Sequence, residues 1–298
     1  MEGDSFKVAT GGGVSWLECA ALTEFPGLLH AFSTRLGGIS GAQGRDLNLG
    51  RTDWDSPAHI EENCRRFIEA LGARDFSLLS LRQVHSSIVV HVTRESSQDL
   101  GYQCPGESRP ASLAAKPDGD ALLSSTPGLL LAVRVADCLP ILLADPRNRA
   151  VAAIHAGWRG ALQGIVGKAA GEMARAFGSR PDELMAAVGP SIRACCYEVR
   201  EDVWEACGAA LPDGQKYLSA VPRLSTHSLP GTALPRSFFL DLAAIARDQL
   251  LRAGVSDARI FVADYCTACR TDLFFSYRKE GPKAGRMLAV IGFKPDSS

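Results

Sequence analysis

The chain has 298 residues, 46% hydrophobic and 22% charged, and its 32 basic side chains against 33 acidic ones leave a formal charge of -1. That length suffices for one large domain or two small ones with a real core, in an ordinary soluble globular composition. The charge balance, with no basic tract longer than a few residues, excludes an electrostatic nucleic-acid surface and points to a small-molecule partner.

In chain order, residues 1–14, with GGG at 11–13, are expected to form a flexible N-terminal extension ahead of a single catalytic domain over 15–298. LLHAFST (28–34) reads as a strand, and RLGGISGAQGRDLNLG (35–50) as a loop whose glycines suit turns and close backbone approach. SPAHIEENCRRFIEALGA (56–73) predicts a helix: Ser56 can cap it, Pro57 suits its first position, and Ile60, Cys64, Phe67 and Leu71 share one face. FSLLSLRQVHSSIVVHV (76–92) reads as two strands broken near Gln83–His85. Residues 95–118, rich in Ser, Pro and Gly and including Cys104, are the candidate mobile loop.

Strands are then expected at roughly 120–124, 129–135, 139–144 and 150–155. LQGIVGKAAGEMARAFG (162–178) predicts a helix burying Ile165, Val166, Ala169 and Met173. DELMAAVGPS (182–191) reads as a strand and turn, REDVWEACGAAL (200–211) as a helix, and 215–236 as irregular. FFLDLAAIARDQLLRAG (238–254) reads as a helix ended by Gly254, and the last strands lie in ARIFVAD (258–264) and RMLAVIGF (286–293), around LFFSYR (273–278). Strands and helices mix without strict alternation or repeat, so the predicted fold class is α/β (α+β), a mixed β-sheet packed with helices in a single domain.

No GxGxxG follows a first strand and no P-loop pattern occurs, which removes the dinucleotide and P-loop readings. The most apolar stretch, GLLLAVRVADCLPILLAD (128–145), carries Arg134, Asp137 and Pro140 inside it, so it reads as two buried strands rather than a membrane span. Nine cysteines, an odd number without a recognisable signal peptide, are expected to be mostly reduced thiols in a cytoplasmic protein.

Three polar breaks interrupt strand-like sequence: RQVHS with His85, VADCLP with Cys138, and IHAGWRG with His155. If the strand ends converge, two imidazoles and a thiolate match the three protein ligands of a catalytic zinc, with a fourth position open to activate water. From spacing alone the blander readings stay open, Cys138 as a core thiol and each histidine as a hydrogen-bonded strand end. Asp137 and Arg159 flank the set, as a carboxylate to orient a ligand and a guanidinium for an anion, or else as a structural ion pair with each other. Asp118 and Asp120 in DGDALL read first as a tight turn and second as paired carboxylates. CTAC, with Cys266 and Cys269, lacks a second CxxC and reads as two ordinary thiols, while the adjacent Cys195 and Cys196 are unsuited to a mutual disulfide.

HAFSTRLGGIS, DLNLG, RQVHS, DGDALL, ADCLPILLAD, AIHAGWRG, VGPSI followed by CCYEV, and FFSYRKEG followed by GR occur in that order across about residues 28–292. Together they resemble the laccase-domain-containing family, also called polyphenol-oxidase-type purine nucleoside phosphorylases. The resemblance implies a mixed α/β single domain and a zinc held by His85, Cys138 and His155. It also implies phosphorolysis of adenosine, inosine and 5′-methylthioadenosine, with adenosine deamination at the same site. Arg193 stands where that family often has Gly, and Lys279 where Arg is common.

For that chemistry Arg35, Asp137 and Arg159 are the expected catalytic residues, and Asn48, Asp120 and Arg278 the expected substrate contacts. The expected partners are a purine nucleoside and phosphate, with no nucleic acid and no membrane, and the expected metal is zinc, with copper as the alternative. Two other activities have precedent in the resemblance. One is a Cys–His or zinc hydrolase editing a peptidoglycan precursor, with Cys138 as nucleophile. The other is a copper polyphenol oxidase, which six histidines, three of them outside the strongest motifs (His30, His59, His227), supply poorly. Oligomeric state is left open by the sequence.

Overall fold

The apolar runs pair into two large sheets that face each other. The computed structural model describes residues 5–94, 100–103, 111–112, 116–221 and 237–295. A six-stranded sheet runs in the order Phe6–Gly11, Val14–Cys19, Leu28–Ser33, Met287–Phe293, Leu129–Val135, Ser77–Ser80. An eight-stranded sheet runs Ile260–Val262, Met185–Val188, Leu139–Asp145, Ala150–Ala156, Ala121–Ser124, Val89–Arg94, Leu100–Gln103, Ala111–Ser112. A small third sheet joins Glu198–Val199, Ser237–Leu240 and Leu218–Val221.

Alternation along the strands sets the layers. Leu131 and Val133 of the first sheet meet Leu142, Ala144, Val151 and Ala153 of the second in the core between them. Leu130 and Ala132 point the other way, onto Phe67 of helix Pro57–Ala70. Ile141, Leu143, Ala152 and Ile154 face helices Ile165–Phe177 and Leu242–Arg252. The order is therefore helix, sheet, sheet, helix. Leu139–Asp145 and Ala150–Ala156 are buried at every position, as strands covered on both faces must be. Each leucine, isoleucine or valine so buried stabilises the fold by about 1.5–3 kcal/mol.

The helix at 57–70 begins as its sequence predicts: Ser56 Oγ accepts the His59 N–H at 3.1 Å, with Pro57 at the first helical position. Three expectations are corrected. Residues 6–11 are not a loose extension but an edge strand paired with Val14–Cys19 through a turn at Gly12 and Gly13, whose φ values of 56° and 81° suit glycine. The helix expected from residue 238 starts only at Leu242: Ser237–Leu240 is a strand, and Asp241 caps the helix by accepting the Ala244 N–H at 2.9 Å. Residues 218–221, expected to be irregular, are a strand. Within the expected mobile loop, 100–103 and 111–112 are the last two strands of the eight-stranded sheet, with 111–112 at its edge, while Cys104 and most of the rest lie outside the described residues.

Candidate metal centre

Two ligands come from one hairpin. Strands Leu139–Asp145 and Ala150–Ala156 pair antiparallel with Pro140 opposite His155, so Cys138 and His155 sit together at the hairpin's open end. The turn at the other end is closed by Asp145, whose carboxylate accepts the N–H groups of Arg147 and Asn148 at 3.0 and 3.1 Å. His85 arrives from the loop before strand Val89–Arg94. Its Nε2 lies 3.9 Å from Cys138 Sγ, and the two imidazole rings meet edge to face at 4.9 Å. The three ligand atoms all lie within 4.8 Å of one another. In a tetrahedral zinc site with ordinary bond lengths, sulfur and nitrogen ligands stand about 3.6 Å apart, so this donor set fits one divalent ion. No fourth His, Cys, Asp or Glu joins it among the described residues.

Asp120 organises the site. It is fully buried, and its Oδ1 accepts from His155 Nδ1 at 2.7 Å and from the His85 N–H at 3.1 Å. Its Oδ2 accepts the Val84 and Ser86 N–H groups at 3.3 and 2.6 Å and the Ser86 hydroxyl at 2.7 Å. A carboxylate only accepts, so Nδ1 of His155 carries the proton and Nε2 is left for a metal. Burial pushes the Asp120 carboxyl up, but the bonds from His155 and Ser86 outweigh it and bring it to about 2. The same bonds hold His85 in the left-handed region at φ 59°, a conformation that costs an ordinary residue about 1–2 kcal/mol.

Cys138 and His155 polarise each other. Burial raises the thiol, yet the His155 charge and hydrogen bonds from both histidines lower it to about 6. Burial lowers His155, while the Cys138 sulfur and Asp120 raise it to about 9. The glycines of HAGWRG have a steric reason. A Cβ on Gly157 would stand 2.8 Å from His85 Cδ2 and 3.4 Å from Cys138 Sγ, and one on Gly160 would stand 2.7 Å from the Ser86 carbonyl oxygen.

The other expected residues divide sharply. Arg159 is exposed and lies over the Trp158 ring at 4.3 Å; its guanidinium makes no hydrogen bond or ion pair among the described residues, and it is not paired with Asp137. Arg278 is exposed and stands 5.3 Å over Tyr197, with one Nη1–H donated to the Glu198 carbonyl at 2.9 Å. Asp137 does not orient a ligand imidazole, the part Asp120 takes. It sits at φ 83°, accepting the Thr267 hydroxyl and the Arg278 N–H at 2.6 Å each, and so fixes the backbone beside Cys138.

Arg35 has its whole fork engaged, by Asp46 at 3.0 Å, Glu280 at 2.9 Å and the Thr271 carbonyl at 3.0 Å, over the face of Phe275. Asn48 is fully buried, donating to Asp55 and Thr52 and accepting from the Arg286 and Gly50 N–H groups. Both side chains are spent on the scaffold rather than turned to a ligand. Tyr197 is a residue that the sequence did not single out. Burial and the Cys138 sulfur push its hydroxyl up, against the cations of Arg278 and Arg159, and its ring lies 5.3 Å from the Arg278 guanidinium. The signal available was its position directly after two cysteines in CCYEV.

Over residues 29–294 the chain matches a family model described as multi-copper polyphenol oxidoreductase laccase. The chain belongs to that family. Among members of this laccase-type family, a protein named purine nucleoside phosphorylase from Deinococcus radiodurans is 39% identical over 266 residues, 88% of each chain. Purine nucleoside phosphorylase YfiH of Escherichia coli is 33% identical, over 89% of this chain and 93% of its own. The crystal structure of YlmD from Geobacillus stearothermophilus superposes with a TM-score of 0.78 at 32% identity, over 98% of this chain and 100% of that one.

The copper cluster in the laccase-type description finds few ligands here. His30 is buried and accepts the Cys19 N–H, His59 bonds Asp55, His91 packs on Phe177, and His227 lies outside the described residues. A multicopper centre needs more imidazoles than the two at this site. Among the described residues no helix is long and apolar enough to cross a membrane.

Proposed function

We propose that the chain is a zinc-dependent purine nucleoside phosphorylase acting on adenosine, inosine and 5′-methylthioadenosine, with adenosine deamination as a second reaction of the same site. The observation that carries this reading is a three-ligand His–Cys–His centre with no fourth His, Cys, Asp or Glu among the described residues, and the exposed Arg159 guanidinium four residues from His155. The names of the relatives supply the substrate class.

A divalent ion held by His85, Cys138 and His155 supplies Lewis acidity, polarising an oxygen or acidifying water. In phosphorolysis phosphate must reach C1′ of the ribose while the bond to the base breaks. Arg159 and Arg278 hold its charge through charge-assisted hydrogen bonds. Asp120 keeps Nδ1 of His155 protonated and both imidazoles in place. Val84 and Ile88, 41% and 40% exposed on either side of His85, offer apolar surface to a nucleoside. Arg35, through Glu280, positions the segment that carries Arg278.

The test is metal analysis of the purified protein, followed by incubation with adenosine with and without phosphate. Adenine and ribose 1-phosphate should form only with phosphate, and inosine in either case. If metal-loaded protein yields none of the three, the reading fails.

A second reading rests on one specific observation. A thiol near 6, an imidazole near 9 and Asp120 on its far nitrogen are also the parts of a Cys–His–Asp nucleophile. That would suit a hydrolase of an amide in a cell-wall precursor, and the two readings separate at Cys138.

A further inference from the structure

CTAC, read from sequence as two ordinary thiols, has company in the folded chain. Strands Met185–Val188 and Ile260–Val262 are parallel neighbours, so the loops that follow them leave the same end of the sheet. The first loop carries Cys195 and Cys196, the second Cys266 and Cys269. A bridge between Ser191 and Cys266, with the Thr267 N–H donated to the Ser191 carbonyl at 3.0 Å, staples the loops together.

All four sulfurs lie within 4.8 Å of one another. Cys269 Sγ stands 3.6 Å from Cys195 Sγ and 3.3 Å from Cys196 Sγ, and none of the four is in a disulfide. A disulfide needs about 2.05 Å. Four thiolates around one zinc stand about 3.8 Å apart, given zinc–sulfur bonds of about 2.3 Å.

The backbone is set for thiolates as well. Cys266 Sγ accepts the Arg193 N–H at 3.5 Å and faces the N–H groups of Cys269 and Ala268, so the CxxC turn wraps donors around its first sulfur. Burial works against the charge of the Arg193 guanidinium, while Asp241 and Asp264, and then Cys266 and Cys195, favour it, and it is anchored on the carbonyls of Ala263 and Tyr265. It therefore offsets part of the negative charge that a zinc tetrathiolate carries. Core packing does not explain the set, since Cys195 and Cys269 are exposed.

We propose that Cys195, Cys196, Cys266 and Cys269 form a second metal site, a closed tetrathiolate holding one structural zinc ion. It shares no ligand with the His–Cys–His centre, and four sulfurs so close around one point suit a single ion rather than a cluster. Binding breaks four S–H bonds and forms four S–Zn bonds, releases the protons to solvent and transfers no electron.

The site has a task that the geometry makes visible. Thr267 and Ile192, one from each loop, both bind Asp137, through its carboxylate and its carbonyl. Tyr197 and the Glu198 carbonyl that holds Arg278 continue from the first loop. Clamping the loops thus fixes the left-handed residue beside Cys138 and the wall of the open centre. The proposal stands whatever reaction that centre performs.

The test is zinc content per chain after reduction, reconstitution and removal of loose metal. The wild type should hold two ions and Cys138→Ala one. Cobalt-loaded Cys138→Ala should show the intense near-ultraviolet bands of tetrahedral thiolate–cobalt bonds. The Cys266→Ser/Cys269→Ser double variant should halve the wild-type content; should it fail to fold, Cys138→Ala still decides. A Cys138→Ala variant that holds no ion, or an intact mass lacking two hydrogens for a disulfide among these four, would each overturn the proposal; one ion in the wild type that Cys138→Ala keeps would support it and count instead against a metal at the open centre.

Discussion

Asp120 Oδ1 lies 2.7 Å from Nδ1 of His155, and the same carboxylate accepts three consecutive backbone N–H groups at 84–86. One side chain therefore orients one metal ligand and shapes the loop that carries another. In Asp120→Asn an amide N–H must face either His155 or the loop donors, so one of the two loses its acceptor. Metal affinity at the His–Cys–His centre should fall about 10–100-fold, read by titration against a competing chelator. Unchanged affinity would show that the ligands hold their positions without Asp120.

Cys138 separates ligand from nucleophile. Cys138→Ala should lose the metal of the open centre, and bound metal should shield Cys138 of the wild type from alkylation. A nucleophile that is not a ligand would give the reverse: Cys138→Ala keeps that metal, and alkylation kills activity at unchanged content.

Arg159 and Arg35 should behave as opposites. Arg159 is exposed and, among the described residues, makes no hydrogen bond or ion pair, only its contact with the Trp158 ring, so Arg159→Ala should leave stability within about 0.5 kcal/mol. It should also raise the KM for phosphate by about 10–100-fold, the worth of a hydrogen bond to a charged group. Arg35→Ala should instead lower the melting temperature, because it strands Asp46 and Glu280, both partly buried. If Arg35→Ala changes the phosphate KM alone, the scaffold role assigned to it is wrong.

His30 makes stability depend on pH. It is buried in strand Leu28–Ser33, and burial lowers its pKa from 6.5 to about 4. The unfolded chain then binds a proton that the folded chain refuses. Stability from this source is complete above pH 6.5 and falls as pH drops towards 4, by about 3 kcal/mol in all. His30→Gln should flatten this window in urea unfolding between pH 4 and 6.5. Loss below pH 3.8 should persist, since Asp120, lowered to about 2, titrates there.

Gly157→Ala tests the approach between hairpin and loop. The added methyl would push on the His85 ring at 2.8 Å, so the variant should fold and bind metal at the open centre more weakly. Wild-type affinity would mean that the His85 loop yields at little cost.

Much of this was legible in the sequence where local chemistry decides. His85, Cys138 and His155 stand out because each breaks an apolar run, and the structure brings all three together. Ser56 announces its helix because a cap is a contact over three residues. Other features depend on partners far along the chain. Strand 6–11 buries only Phe6, with Lys7 and Val8 both exposed, so no in–out alternation marks it and only its pairing with 14–19 reveals it. Arg35 resembles an anion holder until Glu280 is seen beside it. Asp120 reads as a turn residue because its five donors come from two distant segments. The four cysteines pair two loops about 70 residues apart, a relationship that no spacing rule within either motif contains.

The register that sets Pro140 opposite His155 also bears on the order in which the centre is assembled. One tight turn brings Cys138 and His155 together, a short loop closure that comes early in folding. His85 waits for the parallel pairing of Val89–Arg94 with Ala121–Ser124 and for the clamp by Asp120. A nascent hairpin therefore offers an ion two ligands before the third is seated. Metal present at the start of refolding is expected to speed the closing of the His85 loop and to leave the hairpin's own formation unchanged.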